Sequence, residues 1–186
     1  MATCFLKEQD DRPIMLFFED EASFGRINSL NKCWVPLGTR AIVDQQKIRE
    51  YVYAYTAVCP QTGENYSIIS PVNNTEAMNV FLDLLSKAYL QYRILLCMDS
   101  AGWHTGNGVN FPKNIEPLFL PPYSPELNPT EHIWDYIREQ KQFKNHSFKS
   151  LDAAEAHLEA VLKEIGNEKS VIKSMCNFSW LQNLSC

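Results

Sequence analysis

Three carboxylates, Asp20, Asp99 and Glu131, each stand just beyond an apolar run. Asp20 follows Ile14-Met15-Leu16-Phe17-Phe18, and Asp99 follows Ile94-Leu95-Leu96-Cys97-Met98. Glu131 comes after the run at 115–120, at the far end of a stretch punctuated by Pro121, Pro122, Pro125 and Pro129. Carboxylate oxygens are hard ligands. A cluster of them suits Mg²⁺, which keeps several waters and completes its shell with substrate phosphates. Two such ions about 3.5–4 Å apart activate a water or a 3′-hydroxyl and stabilise the leaving oxygen of an in-line displacement at phosphorus. Such a site needs no nucleophilic side chain.

Each acid also has a plainer use. Asp20, between Glu19 and Glu21, could be a solvated turn residue, and Asp99 before Ala101-Gly102 could form an Asx-type turn. Asn128-Pro129-Thr130-Glu131 reads as a helix start, with Asn128 at the N-cap, Pro129 at the first helical position and Glu131 at the third. That spacing is close to a capping box, which stabilises a helix without any catalysis. One acid alone decides little, whereas three in the same setting favour a shared role. His104 is too isolated in sequence to be proposed as a metal ligand. It is either a solvated loop side chain or a contact to substrate or phosphate.

The elements that would position these residues follow from periodicity and turn signals. Residues 13–18 read as a buried strand that ends at Glu19-Asp20-Glu21, and 51–58, rich in aromatic and β-branched residues, as a second. The turn Pro60-Gln61-Thr62-Gly63 leads to a third at 65–71, so the first three strands fit an antiparallel meander. Between them, 34–38 looks like a turn-containing excursion and 40–43 like a short strand. Asn73-Asn74-Thr75-Glu76 opens a helix whose apolar face is Ala77, Phe81, Leu84, Leu85 and Ala88. Strands at 93–98 and 115–120 follow, separated by a loop at 100–113. The helix that Asn128 opens buries Thr130, Trp134 and Ile137. A last helix over about 150–165 carries Leu151, Ala154, Leu158, Val161 and Leu162 on one side and stops at Gly166. The predicted fold class is α/β, with a mixed five-stranded sheet: three antiparallel strands, then two added through helical crossovers, flanked by helices.

Composition narrows the class further. At 186 residues, with 45% hydrophobic and 21% charged, the chain suits one globular domain with a substantial core. A net charge of −5 counts against a free-standing electrostatic nucleic-acid binder, but not against a nuclease whose acids are neutralised by cations. Six cysteines at 4, 33, 59, 97, 176 and 186 show no CxxC pair and no His partners at zinc spacing, so reduced thiols in a cytosolic protein are expected. Cys97 fits a small core residue. No stretch approaches the ~20 apolar residues of a membrane span. A soluble, intracellular protein is therefore expected.

The motifs around the acids resemble the catalytic domain of the IS630 / Tc1–mariner superfamily of DDE transposases, which has an RNase H-like fold. Phe18-Glu19-Asp20-Glu21-Ala22-Ser23-Phe24 resembles the segment with the first acid of that family. Met98-Asp99-Ser100-Ala101-Gly102-Trp103-His104 resembles the second, with Ser100 where many relatives carry Asn. Leu120-Pro121-Pro122-Tyr123-Ser124-Pro125-Glu126-Leu127-Asn128-Pro129-Thr130-Glu131 resembles the third. The 31 residues between Asp99 and Glu131 fall in the spacing usual for the family. The resemblance implies a lead-in at 1–12, a catalytic domain at 13–145 and a C-terminal helical extension at 146–186 packed on it. Asp20, Asp99 and Glu131 would be both the catalytic acids and the metal ligands, holding Mg²⁺ or Mn²⁺, two ions in all.

The activity implied is cut-and-paste transposition: phosphodiester hydrolysis at element ends, then transfer of the freed 3′-hydroxyl to target DNA. Implied partners are DNA, a second copy of the chain in an active homodimer, and a helix-turn-helix region that is separate or missing. In a bacterium the location would be the cytoplasm, at the nucleoid. A competing reading is an inactive or domesticated transposase remnant serving as a binding or assembly module. A two-carboxylate glycosidase has only the paired acids in its favour.

Overall fold

In the computed structural model, which describes residues 10–28, 32, 34–40, 42–106, 108–141 and 143–181, five strands form one sheet in the order β3-β2-β1-β4-β5. They are β1 (Ile14–Ile27), β2 (Lys47–Val58), β3 (Asn65–Ser70), β4 (Arg93–Met98) and β5 (Ile115–Phe119). The first three pair antiparallel, while β4 joins the other edge of β1 in parallel and β5 joins β4 in parallel. A parallel neighbour requires a crossover, and α1 (Thr75–Ala88) provides it between β3 and β4. The remaining helices are the short α2 (Gly102–Thr105), α3 (Glu131–Gln140), α4 (Leu151–Asn167) and α5 (Lys169–Cys176). This is the mixed RNase H-like sheet that the sequence predicts.

Strand alternation sends side chains to two separate cores. Leu16, Phe18, Ala22 and Phe24 of β1 face α3, α4 and α5, whose Trp134, Ile137, Leu158, Val161 and Ile172 fill that side. Met15 and Phe17 face the other way, onto Met78, Phe81, Leu82 and Leu85 of α1. With both faces covered, β4 reads as an uninterrupted apolar run, the pattern of a buried parallel strand. The β2–β3 turn depends on Gly63. Its φ is +78°, and a Cβ there would stand 2.0 Å from the Lys169 carbonyl oxygen at the start of α5.

Several expectations change. The first strand does not end at Glu19-Asp20-Glu21 but runs on to Ile27, because antiparallel pairing with β2 continues through Gly25–Tyr51. Asp20 therefore sits inside a strand, opposite Thr56, and is not a turn residue. β2 starts at Lys47, four residues before the aromatic run, and no strand forms among the described residues of 40–43. In α1 the side chains of Met78 and Leu82 are buried, whereas Leu84 is half-buried and Ala88 exposed. The loop at 100–113 contains α2. Gly166 lies within α4, and α5 follows directly after Glu168. Cys59, Cys97 and Cys176 are buried free thiols, and burial pushes the Cys97 thiol up to about 12. Cys4, Cys33, Cys186 and residues 1–9 of the lead-in lie outside the described residues.

Candidate active site

The register of β1 and β4 sets the positions of the first two acids. Parallel pairing runs from Ile14–Arg93 to Phe18–Cys97. Asp20 and Asp99 each lie two residues past that last pair, on neighbouring strands and at the same end. Asp20 shares the face of Phe18, Ala22 and Phe24, towards α3. Asp99 comes just after β4, with its side chain 59% exposed.

Glu131 is delivered by α3, whose N-terminal turn is fastened to β1 by three side chains in succession. Thr130 Oγ1 donates to the Phe18 carbonyl (2.9 Å), Asn128 Nδ2 to the Glu19 carbonyl (2.9 Å), and Trp134 Nε1 to Asp20 Oδ2 (2.8 Å). Asn128, Thr130 and Trp134 are all buried. The structure moves the helix start: α3 begins at Glu131 with Thr130 at its N-cap and no side-chain cap, whereas Asn128 closes the short 3-10 turn Pro125–Leu127, its N–H donating to the Pro125 carbonyl at 2.9 Å. The Asn128 Oδ1 accepts from the Thr130 N–H at 3.2 Å, which orders the turn before the helix. Glu131 is thus the first helical residue rather than the third, and no capping box forms.

Glu131 instead acts on Asp20 electrostatically. Burial raises the Asp20 carboxyl, the negative charge of Glu131 raises it further, and the Trp134 N–H pulls it back, leaving it at about 7. A buried carboxyl raised by the charge of a neighbouring carboxylate is the setting that a hard divalent cation neutralises, so a Mg²⁺-type ion fits here.

Glu19 and Glu21, which the sequence did not single out, form a second cluster with His104 on the opposite face of β1. Glu19 is fully buried, and neither carboxylate oxygen has a hydrogen-bond partner. Burial first, then the charges of Glu21, Asp20 and Asp99, raise its carboxyl well above the ordinary range. His104, at 1% exposure, is no solvated loop side chain. Its Nε2 lies 2.9 Å from Glu21 Oε1 and its Nδ1 lies 2.7 Å from Asp99 Oδ1. Trp103 Nε1 donates to the same Glu21 oxygen at 2.8 Å. Burial alone would lower the imidazole pKa, but the Glu21 hydrogen bond, followed by the charges of Glu21 and Asp99, raises it overall. The signal that could have found this cluster is the alternation itself: if the strand runs on, Glu19 and Glu21 share the face that Asp20 leaves.

Sheet order and acidic rim together define an RNase H-like domain with a carboxylate site where β1 and β4 part. Solved complexes of the Mos1 mariner transposase share this fold. The Mos1 paired-end complex with Mn superposes with a TM-score of 0.60 at 16% identity, over 92% of this chain and 56% of that one. The paired-end complex with Mg gives 0.58 at 18% identity, over 88% and 52%. The chain thus spans about half the length of those proteins. A family model described as DDE superfamily endonuclease matches residues 15–155. The "Uncharacterized protein y4pE/y4sA" of Sinorhizobium fredii (strain NBRC 101917 / NGR234) is 33% identical over 131 residues, 70% of this chain and 96% of that protein. The chain belongs to the DDE superfamily endonucleases.

Proposed function

We propose that this chain is the catalytic domain of a mariner-like DDE transposase, which hydrolyses phosphodiester bonds at element ends and joins the freed 3′-hydroxyl to target DNA. The observation that carries the reading is the register that puts Asp20 of β1 and Asp99, just past β4, at the same end of the sheet, with the charge of Glu131 acting on Asp20. Asp20, Asp99 and Glu131 would hold Mg²⁺ or Mn²⁺, two ions in all, through carboxylate oxygens. When bound, such ions polarise the scissile phosphate and lower the pKa of an attacking water or hydroxyl. The side chains themselves bind and orient. Asp20 must release its proton to ligate, and the Trp134 N–H holds the Oδ2 edge of that carboxylate in place.

Partners follow from the family membership and the fold. DNA is the substrate, a second copy completes an active homodimer, and a helix-turn-helix region supplied from outside the described residues recognises the element ends. Residues 13–145 would form the catalytic domain and 146–186 its C-terminal extension, and in a bacterium the site of action would be the cytoplasm, at the nucleoid. No helix among the described residues is long and apolar enough to cross a membrane.

The test is cleavage of an element-end duplex in Mg²⁺ or Mn²⁺, with the chain supplied in an active full-length context. Asp20→Asn, Asp99→Asn and Glu131→Gln should each lose strand cleavage by orders of magnitude, and Glu131→Gln, whose side chain caps nothing, should melt close to the parent. Glu131→Gln cleaving at near the parent rate would remove Glu131 from the site.

A further inference from the structure

We infer that His104 is a positioning residue for Asp99, the middle link of a Glu21–His104–Asp99 chain that determines which carboxylate oxygen Asp99 presents. This rests on the reading of Asp99 as a cation ligand. Asp99 stands beyond the end of β4 with its side chain largely in solvent, where nothing in the strand fixes its rotamer. His104, by contrast, is buried: its Nε2 meets Glu21 Oε1 at 2.9 Å, and its Nδ1 is hydrogen-bonded to the Asp99 carbonyl oxygen at 3.1 Å and forms an ion-pair contact with Asp99 Oδ1 at 2.7 Å, so the ring holds both the backbone and the carboxylate of that residue. The Glu21 end is itself fixed, since its Oε1 also accepts from Trp103 Nε1. The Ala101 N–H donates to Asp99 Oδ1 at 2.9 Å. Oδ1 is thus engaged twice, and among the described residues Oδ2 has no hydrogen-bond partner. A carboxylate held by one oxygen offers the other in a single orientation, and removal of such an outer partner typically weakens metal binding by about 10–100-fold.

A different arrangement deserves comparison: a cation held directly by Glu19, Glu21 and His104, whose ligand atoms lie within 4.8 Å of one another. Against it, His104 and Glu21 already satisfy each other. Glu19 Oε2 stands 3.9 Å from His104 Nε2, beyond hydrogen-bonding distance.

The experiment is a Mn²⁺ titration of the whole chain without DNA, read by the electron paramagnetic resonance of free Mn²⁺, with a melting curve on each preparation. The amide nitrogen of Asn stands where Nδ1 stands and can still donate to Asp99, whereas that of Gln stands nearer Nε2 and serves Glu21 alone. His104→Ala and His104→Gln should therefore bind Mn²⁺ about 10–100-fold more weakly, while His104→Asn stays close to the parent. If His104→Ala does not fold, the Asn and Gln variants carry the comparison. Parent-like binding in His104→Gln, with loss in His104→Asn, would make His104 a strut between α2 and β1 and overturn the proposal. Asp99→Asn separates the two levels. If it loses Mn²⁺ and the His104 variants do not, only the positioning role falls. If it binds Mn²⁺ as the parent does, Asp99 is no ligand, and the reading of the site falls with the role of His104.

Discussion

Glu19 and Asp20 are consecutive residues on β1 that point to opposite faces, and each keeps its proton for its own reason. For Asp20 the causes are burial and then the Glu131 charge; for Glu19 they are burial without a single donor, then the surrounding acids. An unfolded Asp releases its proton near 3.8, whereas folded Asp20 does so at about 7. Between those values the folded state binds the extra proton, so stability falls as pH rises; below 3.8 the penalty is absent. Asp20→Asn removes that titration and keeps an oxygen for the Trp134 N–H. In chelator, its stability relative to the parent should improve by on the order of 1–3 kcal/mol between pH 4.5 and pH 8, measured by urea unfolding. A variant that loses ground as pH rises would contradict the raised pKa. Asp20 itself was legible as a candidate, but its neighbours were not. Three acids in a row look like the end of a strand, and only pairing with β2, from Ala22–Ala54 to Ile27–Lys47, reveals that the strand continues.

At the scale of elements, α3 matters for where it starts. A helix start near Asn128-Pro129-Thr130-Glu131 was readable because turn and cap signals are local chemistry, although the helix itself begins two residues later than read, at Glu131. Its attachment to β1 was not, because Phe18, Glu19 and Asp20 are more than a hundred residues distant. The attachment makes Asn128 more than a turn residue. Asn128→Asp preserves the oxygen that accepts from the Thr130 N–H and adds a charge favourable near a helix N-terminus. It removes the Nδ2 donor, however, and leaves the Glu19 carbonyl unpaired in a buried site already crowded with acids. We expect a loss of about 1–3 kcal/mol, the cost of an unsatisfied buried acceptor. An Asp variant as stable as the parent in thermal melts would mean that the turn alone fixes α3. The missed α5 has a similar origin. Eight residues with only Ile172 and Cys176 buried give a weak periodic signal, and its place is fixed by packing on α3 and by the Gly63 turn.

For the whole molecule, the sheet register sets Asp20 and Asp99, 79 positions apart (99−20), at one end of neighbouring strands, and Glu131, 32 positions further on (131−99), acts on Asp20 through its charge. The order of elements and the long proline motif made that architecture readable from sequence, whereas the second acidic face beneath it came from tertiary packing. The two faces now compete as explanations of what the acids are for. The chain carries a net charge of −5, and two of its carboxyls are raised by burial within one strand. A cation at the β1–β4 rim would relieve that strain on the side where Asp20, Asp99 and Glu131 stand. The most direct measurement is the anomalous scattering of Mn²⁺ in crystals of the chain soaked at neutral pH. The account predicts density between Asp20 and Asp99 with Glu131 approaching it, and none within the Glu19–Glu21–His104 cluster. Density in that cluster alone, with none at Asp20, would contradict it.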